Sequence, residues 1–271
     1  MYALQNKVVV VTGAGSGIGR ALAQQLAAKG CRLAISDINA TTLAETAALL
    51  PQPALVQVLD VADRAAVYAF AERVQQELGG AHVVINNAGV AVSQTIENTS
   101  YDDLEWLMGI NFWGVVYGSK AFLPQLRARG DGAIVNLSSI FGIIAVPANG
   151  AYHCAKFAVR GFTECLRQEL HGSGINAISV HPGGIKTNIV RNARLYVDAD
   201  GGTDTARMVD RFQKLARTTP EEAARVIIDG IERQRPRVLI GADARFMERV
   251  QRWAPESYPA VFRWLLGKLK Q

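Results

Sequence analysis

The sequence predicts an α/β fold with a doubly wound parallel sheet of about seven strands, formed by a single domain over residues 1–271. Segments typical of strands alternate with amphipathic segments typical of helices, and this order is that of βαβ units with right-handed crossovers. The composition, with 49% hydrophobic and 20% charged residues, is that of an ordinary globular protein. A chain of this length buries a core large enough to fold without disulfides or structural metals.

The predicted elements begin with a strand over Lys7–Thr12, whose four consecutive valines suit burial on both faces of a parallel sheet. A glycine-rich turn follows, and then a helix for which Gly30 is a suitable C-terminal cap. Pro124 is expected to kink the long helix 101–129. Thr219, followed by a proline and two acids, marks a later helix start. The remaining predicted strands are 32–36, 54–59, 82–85, 133–137, 175–180 and 237–240, and the remaining helices are 40–50, 64–78 and 150–171.

Residues 188–218 interrupt this alternation. They are rich in Asp, Arg, Gly and Thr, and the pattern predicts irregular structure after the sixth strand. Long irregular segments inside compact domains are more often functional than idle, so this region is a candidate for a mobile lid over a substrate.

The C-terminal residues carry the whole net charge of +5. Residues 234–271 contain eight Lys/Arg and three Asp/Glu, whereas the rest of the chain contains equal numbers of both. Residues 242–271 are predicted to form a tail of two amphipathic helices. Their apolar residues are Phe246, Met247, Val250, Trp253, Val261, Phe262, Leu265 and Leu269, and their basic residues are Arg245, Arg249, Arg252, Arg263, Lys268 and Lys270. Such a tail suits packing on the protein's own substrate mouth or on a neighbouring subunit, or alternatively the surface of an anionic membrane.

The sequence argues against several other classes of protein. Cys31, Cys154 and Cys165 are widely spaced and include no C-x-x-C pair, which favours reduced thiols in the cytoplasm over a zinc site or a disulfide framework. The N-terminus enters the first strand without a signal-peptide core, and no apolar run approaches the roughly 18 residues of a membrane span. A basic surface across the domain, as expected of a nucleic-acid binder, is not indicated. We therefore expect a cytoplasmic protein with no metal and no nucleic-acid partner.

A glycine-rich turn joins the first strand to the first helix. Glycines at this position let the backbone turn tightly and approach a pyrophosphate, whose charge is favoured at the N-terminus of a helix. The residues predicted to contact a dinucleotide here are Gly13, Gly15, Ser16, Gly17, Ile18 and Gly19. Tight turns that bind nothing use the same residue types, so the position between a buried strand and a helix is what favours a cofactor.

Asp37 closes the second strand, 24 positions after Gly13, near the spacing at which a carboxylate meets the adenosine ribose. A carboxylate accepts hydrogen bonds from both ribose hydroxyls but repels a 2′-phosphate, and neither Ser16 nor Ile38 supplies a compensating positive charge. The sequence therefore predicts NAD(H) in preference to NADP(H). Asp37 is also suitable as the N-terminal cap of the next helix.

Further turns of the same kind follow the third and fourth strands. Asp60 and Val61 are predicted to face the adenine, and Asn87, Ala88 and Gly89 are small residues where a flat cofactor must lie close to the backbone. Ligands of open α/β sheets bind at the carboxyl ends of the strands, so the recurrence of such turns there predicts one cofactor site.

Tyr152 and Lys156 are four residues apart on a predicted helix and therefore share a face. A neighbouring ammonium is expected to lower the pKa of the phenol, which makes the pair a candidate proton-transfer device for an alcohol. Ser139 lies just past a strand, where it is suited to bind a substrate oxygen, and Asn111 is a polar residue inside a long helix. The segment after the sixth strand is suited to hold a carboxamide. Its predicted contact residues are Pro182, Gly183, Ile185 and Thr187.

Taken together, these motifs resemble the short-chain dehydrogenase/reductase family in order and spacing. The resemblance is carried by Thr12-Gly-x-x-x-Gly17-x-Gly19, Asn86-Asn-Ala-Gly, Asn111, Ser139, Tyr152-x-x-x-Lys156 and Pro182-Gly followed by Thr187. It implies a Rossmann-like sheet and a catalytic tetrad in which Tyr152 is the acid/base and Ser139 orients the substrate oxygen. It also implies that Lys156 holds the nicotinamide ribose, that Asn111 positions a water in a proton relay, and that the protein forms homodimers or homotetramers.

The sequence therefore predicts an NAD(H)-dependent oxidoreductase that interconverts a secondary alcohol and a ketone. The substrate is expected to be mainly hydrophobic because the predicted pocket is surrounded by apolar residues. These are Ile143, Ile144, Val146, Ile189, Leu195 and Tyr196. One alternative is a ketone reductase that uses NADPH. Another is a non-catalytic dinucleotide-binding sensor or scaffold on the same fold, which has no need of the four catalytic residues.

Overall fold

The centre of the protein is a seven-stranded parallel sheet. The computed structural model describes residues 1–268, and side chains for residues 1–263. The strands are β1 (Val8–Thr12), β2 (Arg32–Asp37), β3 (Leu55–Val58), β4 (Val83–Asn86), β5 (Val92–Ser93), β6 (Gly132–Leu137), β7 (Ile175–Pro182), β8 (Arg194–Leu195) and β9 (Arg237–Ile240). The main sheet has the order β3-β2-β1-β4-β6-β7-β9 with every neighbouring pair parallel, while β5 pairs with β8 separately.

Helices cover both faces of this sheet and complete the Rossmann-like architecture. They are α1 (Gly17–Ala28), α2 (Ala40–Ala48), α3 (Arg64–Leu78), α4 (Tyr101–Met108), α5 (Gly114–Arg129), α6 (Gly150–Glu169), α7 (Thr205–Leu215), α8 (Pro220–Glu232), α9 (Ala242–Trp253) and α10 (Tyr258–Lys268). The strand order reverses between β1 and β4. Ligands of open α/β sheets bind in the crevice at such a reversal, outside the carboxyl ends of the strands. The predicted fold class is confirmed.

The core lies in two layers, and β1 separates them. Val9 and Val11 pack in the layer with α1, α2 and α8, while Val8 and Val10 pack in the layer with α3 and α5. None of the four valines is more than 1% exposed. Successive side chains of a strand point to opposite faces, so a strand buried on both sides needs an apolar residue at every position.

One predicted helix cap is wrong. Asn39 is the N-terminal cap of α2, and its side chain accepts a hydrogen bond from the N–H of Thr42 at 3.1 Å. Asp37 lies two residues too early to reach the first turn of this helix. The caps predicted at Gly30 and Thr219 are confirmed: Gly30 adopts a φ of +78° just past α1, and Thr219 accepts from the N–H of Glu222 at the start of α8.

The predicted long helix 101–129 is divided in two. α4 ends at Met108, a π-helical turn occupies Gly109–Trp113, and α5 then continues through Pro124. The helical pattern is therefore interrupted around Asn111 and not at the proline. Single π-helical turns inside helices occur often at functional sites, because they redirect one residue.

Residues 188–218 are more regular than the sequence predicted, since they contain β8 and the 11-residue helix α7. β8 is fastened to the rest of the protein by Arg194. Its guanidinium lies 2.6 Å from the carboxylate of buried Asp103 and 3.8 Å from the centre of the Trp106 ring. The base of the segment is thus fixed on α4, and mobility as a lid stays a prediction.

The C-terminal tail packs on the segment that follows β6. Apolar side chains of α9 and α10, among them Ala244, Met247 and Phe262, form one cluster with Ile143 and Ile144. The predicted amphipathic residues Leu269 and Lys270 lie outside the described residues, as do the side chains of Leu265 and Lys268. In the part of the chain that the structure describes, no helix combines the length and apolarity needed to cross a bilayer.

Candidate active site

The glycine turn between β1 and α1 is packed too tightly for side chains. A Cβ on Gly19 would lie 2.0 Å from the carbonyl oxygen of Gly13, and one on Gly15 would lie 2.9 Å from a carboxylate oxygen of Asp37. Gly13 and Gly17 adopt φ angles of +66° and +52°, a region that favours glycine. The turn therefore presents bare backbone at the N-terminus of α1.

The N-terminus of α1 lacks a capping side chain. The Ser16 side chain makes no capping hydrogen bond, and the first turn contains no acidic residue. Ser16 is exposed and Ile18 is only partly buried, so this end of the helix faces solvent. The first N–H groups of a helix have no intrahelical partner and attract anions. The turn fits the pyrophosphate of a dinucleotide for this reason.

The loop after β4 is fastened to the glycine turn. Thr12 Oγ1 accepts hydrogen bonds from the N–H groups of Asn87 and Ala88 at 3.0 and 3.1 Å. Asn87 Nδ2 in turn donates to the carbonyls of Thr12 and Gly13 at 2.9 and 3.1 Å. The residues predicted to bind a cofactor at the ends of β1 and β4 therefore form one continuous surface.

Asp37 is held against the glycine turn at the end of β2. Its Oδ2 accepts from the N–H of Gly15 at 2.8 Å, and its Oδ1 accepts from the N–H of Asn39 at 2.9 Å. The neighbouring Ile38 side chain is 67% exposed. Two hydrogen bonds thus fix a carboxylate at the edge of the turn.

The turn after β3 lies beside this edge. The N–H of Leu59 donates to the carbonyl of Asp37, which brings the ends of β2 and β3 together. Asp60 directs one carboxylate oxygen to a backbone N–H of its own turn at 2.9 Å. Val61 is buried and would contact a Cβ on Gly114 at 2.9 Å. Both residues are therefore placed near the adenosine end of the predicted site.

Asn111 lies in the π-helical turn and is fully buried. Its Oδ1 accepts from the N–H of Val90 and its Nδ2 donates to the carbonyl of Val90, both at 2.8 Å. A Cβ on the adjacent Gly89 would lie 3.2 Å from Asn111 Oδ1 and 3.6 Å from Lys156 Nζ. The side chains of Asn111 and Lys156 thus lie next to the same residue, Gly89. The positioning of a water by Asn111 stays a prediction.

Tyr152 is hydrogen-bonded to Ser139 through their side chains. Ser139 Oγ also accepts from the N–H of Phe141 at 3.1 Å, and the Phe141 ring packs edge-on against the Tyr152 ring. Burial raises the pKa of Tyr152 to about 12, because the phenolate loses its hydration, and the Ser139 hydrogen bond offsets part of this effect. The phenol is therefore protonated at neutral pH.

Lys156 is 4% exposed and donates to the carbonyl of Leu137 at 2.9 Å. Its Nζ lies 5.5 Å from the centre of the Tyr152 ring. Burial lowers the pKa of Lys156 to about 8. The expectation that this ammonium lowers the pKa of Tyr152 is wrong. Desolvation of the phenolate outweighs the attraction of an ammonium that is directed at the Leu137 carbonyl.

Two residues that hold the catalytic side chains, Ser138 and His181, were not predicted from the sequence. Ser138 Oγ donates to the carbonyl of Lys156 at 2.8 Å. His181 Nδ1 lies 2.9 Å from the carbonyl of Ser139, and burial lowers the His181 pKa to about 4. The neutral ring therefore donates from Nδ1 to Ser139 and accepts from the Ser179 hydroxyl at Nε2. The position of Ser138 and His181 at the carboxyl ends of β6 and β7 is the feature of the sequence that could have identified them.

His153 fixes the mouth of the site and was also missed. It is buried, and burial lowers its pKa. Nδ1 donates to the carbonyl of Phe141 at 3.0 Å, and Nε2 accepts from the N–H of Val146 at 3.0 Å. The segment 141–146 is thus held against α6 next to Tyr152. Its place beside the predicted acid/base was the only signal in the sequence.

The loop that follows β7 lies between α9 and the glycine turn. The N–H of Gly183 donates to the carbonyl of Ile240 at the end of β9. Ile185 is 4% exposed, and Thr187 places a methyl group 3.1 Å from the position of a Cβ on Gly17. Pro182, the last residue of β7, is buried. The predicted contacts of this loop are therefore brought to the start of α1.

Two of the apolar residues predicted to surround the substrate are covered by the C-terminal tail. Ile143 and Ile144 are 3% and 1% exposed and pack against the C-terminal tail. A cavity of about 690 Å³ lies between β8 and α7. Its lining is Arg191, Ala193, Leu195, Thr205, Ala206, Val209, Asp210 and Gln213. Of the predicted pocket residues, Leu195 lines this cavity, and Tyr196 is 45% exposed beside it in the chain.

Comparisons with known proteins agree with this arrangement. Residues 7–197 match the short chain dehydrogenase family. The chain is 46% identical over 264 residues to a Mycobacterium tuberculosis protein named oxidoreductase SadH, an alignment that covers 95% of this chain and 94% of the relative. It is 36% identical over 245 residues to the Mus musculus dehydrogenase/reductase SDR family member 7B, covering 88% of this chain and 74% of the relative.

Solved structures show the same fold. A short chain dehydrogenase/reductase from Burkholderia phymatum in complex with NAD has a TM-score of 0.85 and 28% identity, covering 94% of this chain and 96% of that chain. Levodione reductase has a TM-score of 0.79 and 26% identity, covering 89% and 97%. The fold and the site thus define a nucleotide-binding α/β enzyme. The chain belongs to the short-chain dehydrogenase/reductase family and is an oxidoreductase of that family.

Proposed function

We propose that this oxidoreductase interconverts secondary alcohols and ketones with NAD(H) as its cofactor. The observation that carries the proposal is the hydrogen-bonded pair Tyr152 and Ser139, with buried Lys156 one helical turn further along α6. This group lies at the carboxyl ends of the strands, as the uncapped glycine turn does. The proposed proton-transfer residues and the proposed dinucleotide site therefore share one crevice.

Each catalytic side chain has a task that its contacts explain. Tyr152 exchanges the proton of the substrate hydroxyl, and Ser139 binds the same substrate oxygen. The raised pKa keeps Tyr152 protonated, which is the form that donates to a ketone oxygen. Lys156 is placed by its Leu137 hydrogen bond between the phenol and Gly89. The nicotinamide supplies the hydride acceptor when an alcohol is oxidised, and the hydride donor in the reverse direction.

The preference for NAD(H) rests on Asp37. Its carboxylate is fixed by Gly15 and Asn39, so it cannot withdraw from a 2′-phosphate without losing both hydrogen bonds. A positive charge is nearby on Arg20, but its guanidinium is bound to the Glu45 carboxylate at 2.8 Å and to the carbonyl of Gly15. The NAD complex of the Burkholderia phymatum relative supports the same cofactor.

A hydrophobic substrate is supported by the segment that precedes α6. Phe141 packs against Tyr152, and Leu195 lines the cavity beneath α7. Polar side chains of Arg191 and Gln213 line that cavity too, which suits a substrate that carries a polar group away from the reacting carbon. We also propose a homo-oligomer, because Trp113, at the end of the π-helical turn, and Phe157 on α6 are 47% and 41% exposed.

The function is tested by following NADH formation with secondary alcohols of graded size, and NADH consumption with the corresponding ketones. Turnover of bulky apolar substrates above short-chain ones, and of NAD⁺ above NADP⁺, is expected. Absence of turnover with the whole panel, together with tight NADH binding, would instead favour the dinucleotide-binding scaffold.

Asp37→Asn is expected to favour NADP. The ratio of kcat/KM with NADP to kcat/KM with NAD is expected to rise by about tenfold or more. The change removes the negative charge that opposes a 2′-phosphate, an interaction of a few kcal/mol when partly buried. Asparagine retains an oxygen to accept from the N–H of Gly15, and it gives up only the hydrogen bond from the N–H of Asn39. Steady-state kinetics with both cofactors measures the ratio.

The exposed carboxylate of Glu72 on α3 provides the control for loss of a surface charge. Glu72→Gln is expected to leave the cofactor ratio within about twofold of wild type, since this residue lies outside the predicted site and an exposed charge is screened by salt. A wild-type enzyme that already prefers NADPH would contradict the assignment of Asp37.

A further inference from the structure

Helix α9 exposes one face that combines cationic and aromatic side chains. Arg245, Phe246, Arg249, Arg252 and Trp253 are all exposed, Phe246 by 50% and Trp253 by 86%. Their spacing of one, four, seven and eight residues places them on the same side of a helix. This set is the cationic face of α9.

The opposite face of α9 is packed, so the helix is held in place. Ala244 is fully buried, and Met247 and Val250 pack on the cluster that contains Ile143. Glu248 is 7% exposed and pairs with Arg252. The exposure of the two aromatic rings is therefore not caused by poor packing of α9.

Helix α9, which carries the cationic face, lies next to both loops of the active site. At the start of α9, Asp243 accepts a hydrogen bond from the N–H of Gly184 at 2.7 Å. The packed side of the helix contacts the segment that begins one residue after Ser139. α9 thus joins the cofactor loop to the substrate mouth, and its outer face is at that end of the molecule.

The positive charges of this face favour an anionic partner. Arg245 and Arg249 make no ion pair among the described side chains, and residues 234–271 hold the entire excess positive charge of the chain. A two-fold contact with a second copy brings the same patch onto itself, so the arginines of one copy would oppose those of the other. An anionic lipid surface pairs with the arginines and accepts aromatic rings at the level of its headgroups.

We propose that the cationic face of α9 docks the protein on anionic membrane surfaces. Phe246 and Trp253 insert at the interface, while Arg245 and Arg249 contact lipid phosphates. This contact is independent of the reaction proposed above, because binding to lipid requires no turnover. Docking orients the end of the molecule that carries the substrate mouth toward the bilayer.

Co-sedimentation of the full-length protein with vesicles tests the proposal. Binding is expected with phosphatidylcholine vesicles that contain phosphatidylglycerol, but not with phosphatidylcholine alone, and is expected to weaken at high salt. R245Q/R249Q is expected to lower the partition coefficient about 30-fold, since each basic residue at an anionic surface contributes a factor of about five. F246S/W253S is expected to weaken binding as well.

R127Q/R225Q provides a charge-matched control, because both arginines are exposed on other helices. Y68S provides the control for loss of an exposed aromatic ring. Both controls are expected to bind as wild type does, and thermal melting verifies that every variant is folded. Wild-type protein that stays in the supernatant with anionic vesicles at low salt would overturn the proposal. So would a change in molar mass by light scattering on F246S/W253S, which would make this face a subunit interface.

Discussion

Tyr152→Phe is expected to lower kcat by at least about 100-fold, in line with the loss of a general acid/base. The phenol is the group that exchanges a proton with the substrate oxygen, and the variant retains the ring that packs against Phe141. NADH affinity is expected to stay within about threefold of wild type, since the hydroxyl contributes chemistry more than binding. Steady-state kinetics and fluorescence titration with NADH measure the two quantities.

Tyr68→Phe serves as the matched control, because it removes the same hydroxyl from an exposed position on α3. Its kcat is expected to equal that of the wild type. Turnover of Tyr152→Phe near the wild-type rate would remove this residue from the mechanism and leave proton transfer to another group.

Lys156→Met is expected to lose most of its activity while gaining stability. Activity falls because the ammonium beside the phenol and the predicted ribose contact are removed together. Stability rises because the wild-type protein buries a charge: its pKa falls from 10.5 to about 8, which corresponds to about 3 kcal/mol. Loss of the hydrogen bond to Leu137 costs about 1 kcal/mol. The net expectation is a gain of about 2 kcal/mol in the free energy of unfolding at pH 7.

The pH dependence of this gain identifies its cause. Between pH 8 and 10.5 the folded protein releases the Lys156 proton while the unfolded chain keeps it, so wild-type stability increases with pH across this window. The variant lacks this contribution, and its advantage is expected to shrink over the same range. Tyr152, whose pKa is raised to about 12, titrates in both proteins and affects the difference little.

Denaturant unfolding at several pH values measures the difference, with Lys120→Met on the exposed side of α5 as the control. The control is expected to change stability by less than about 0.5 kcal/mol at every pH. A variant less stable than wild type at pH 7 would show that the Lys156 ammonium stabilises the fold, contrary to the effect of its burial.

Much of the fold was predictable because its signals are local. The four valines of β1 predict a buried strand, and the Thr219-Pro220 pair predicts a helix start, wherever such segments occur in a sequence. The Tyr152-x-x-x-Lys156 pair, with Ser139 upstream, likewise depends on short spacings. Helix α7 was not predicted because polar residues dominate its composition, although Met208, Phe212 and Leu215 recur at helical spacing after the capping residue Asp204.

The roles of His153 and His181 were not predictable in the same way. Each histidine bonds to a backbone group that its own sequence neighbourhood does not identify: His181 to Ser139, 42 residues away, and His153 to Phe141 across the mouth of the site. Hydrogen bonds of this kind depend on which strands lie side by side. Sequence spacing carries no information on that point when the strands are far apart in the chain.

The amino-acid sequence established the α/β fold, the glycine turn and the set of residues from which the candidate site is built, because each follows from short-range periodicity or from residue chemistry. Tertiary structure decided the direction of the pKa shifts of Tyr152 and Lys156. It also decided that the C-terminal tail buries Ile143 and Ile144, and which face of α9 is exposed to solvent. These properties depend on desolvation and packing, which are sums over every neighbour in space and therefore appear only once distant segments are brought together.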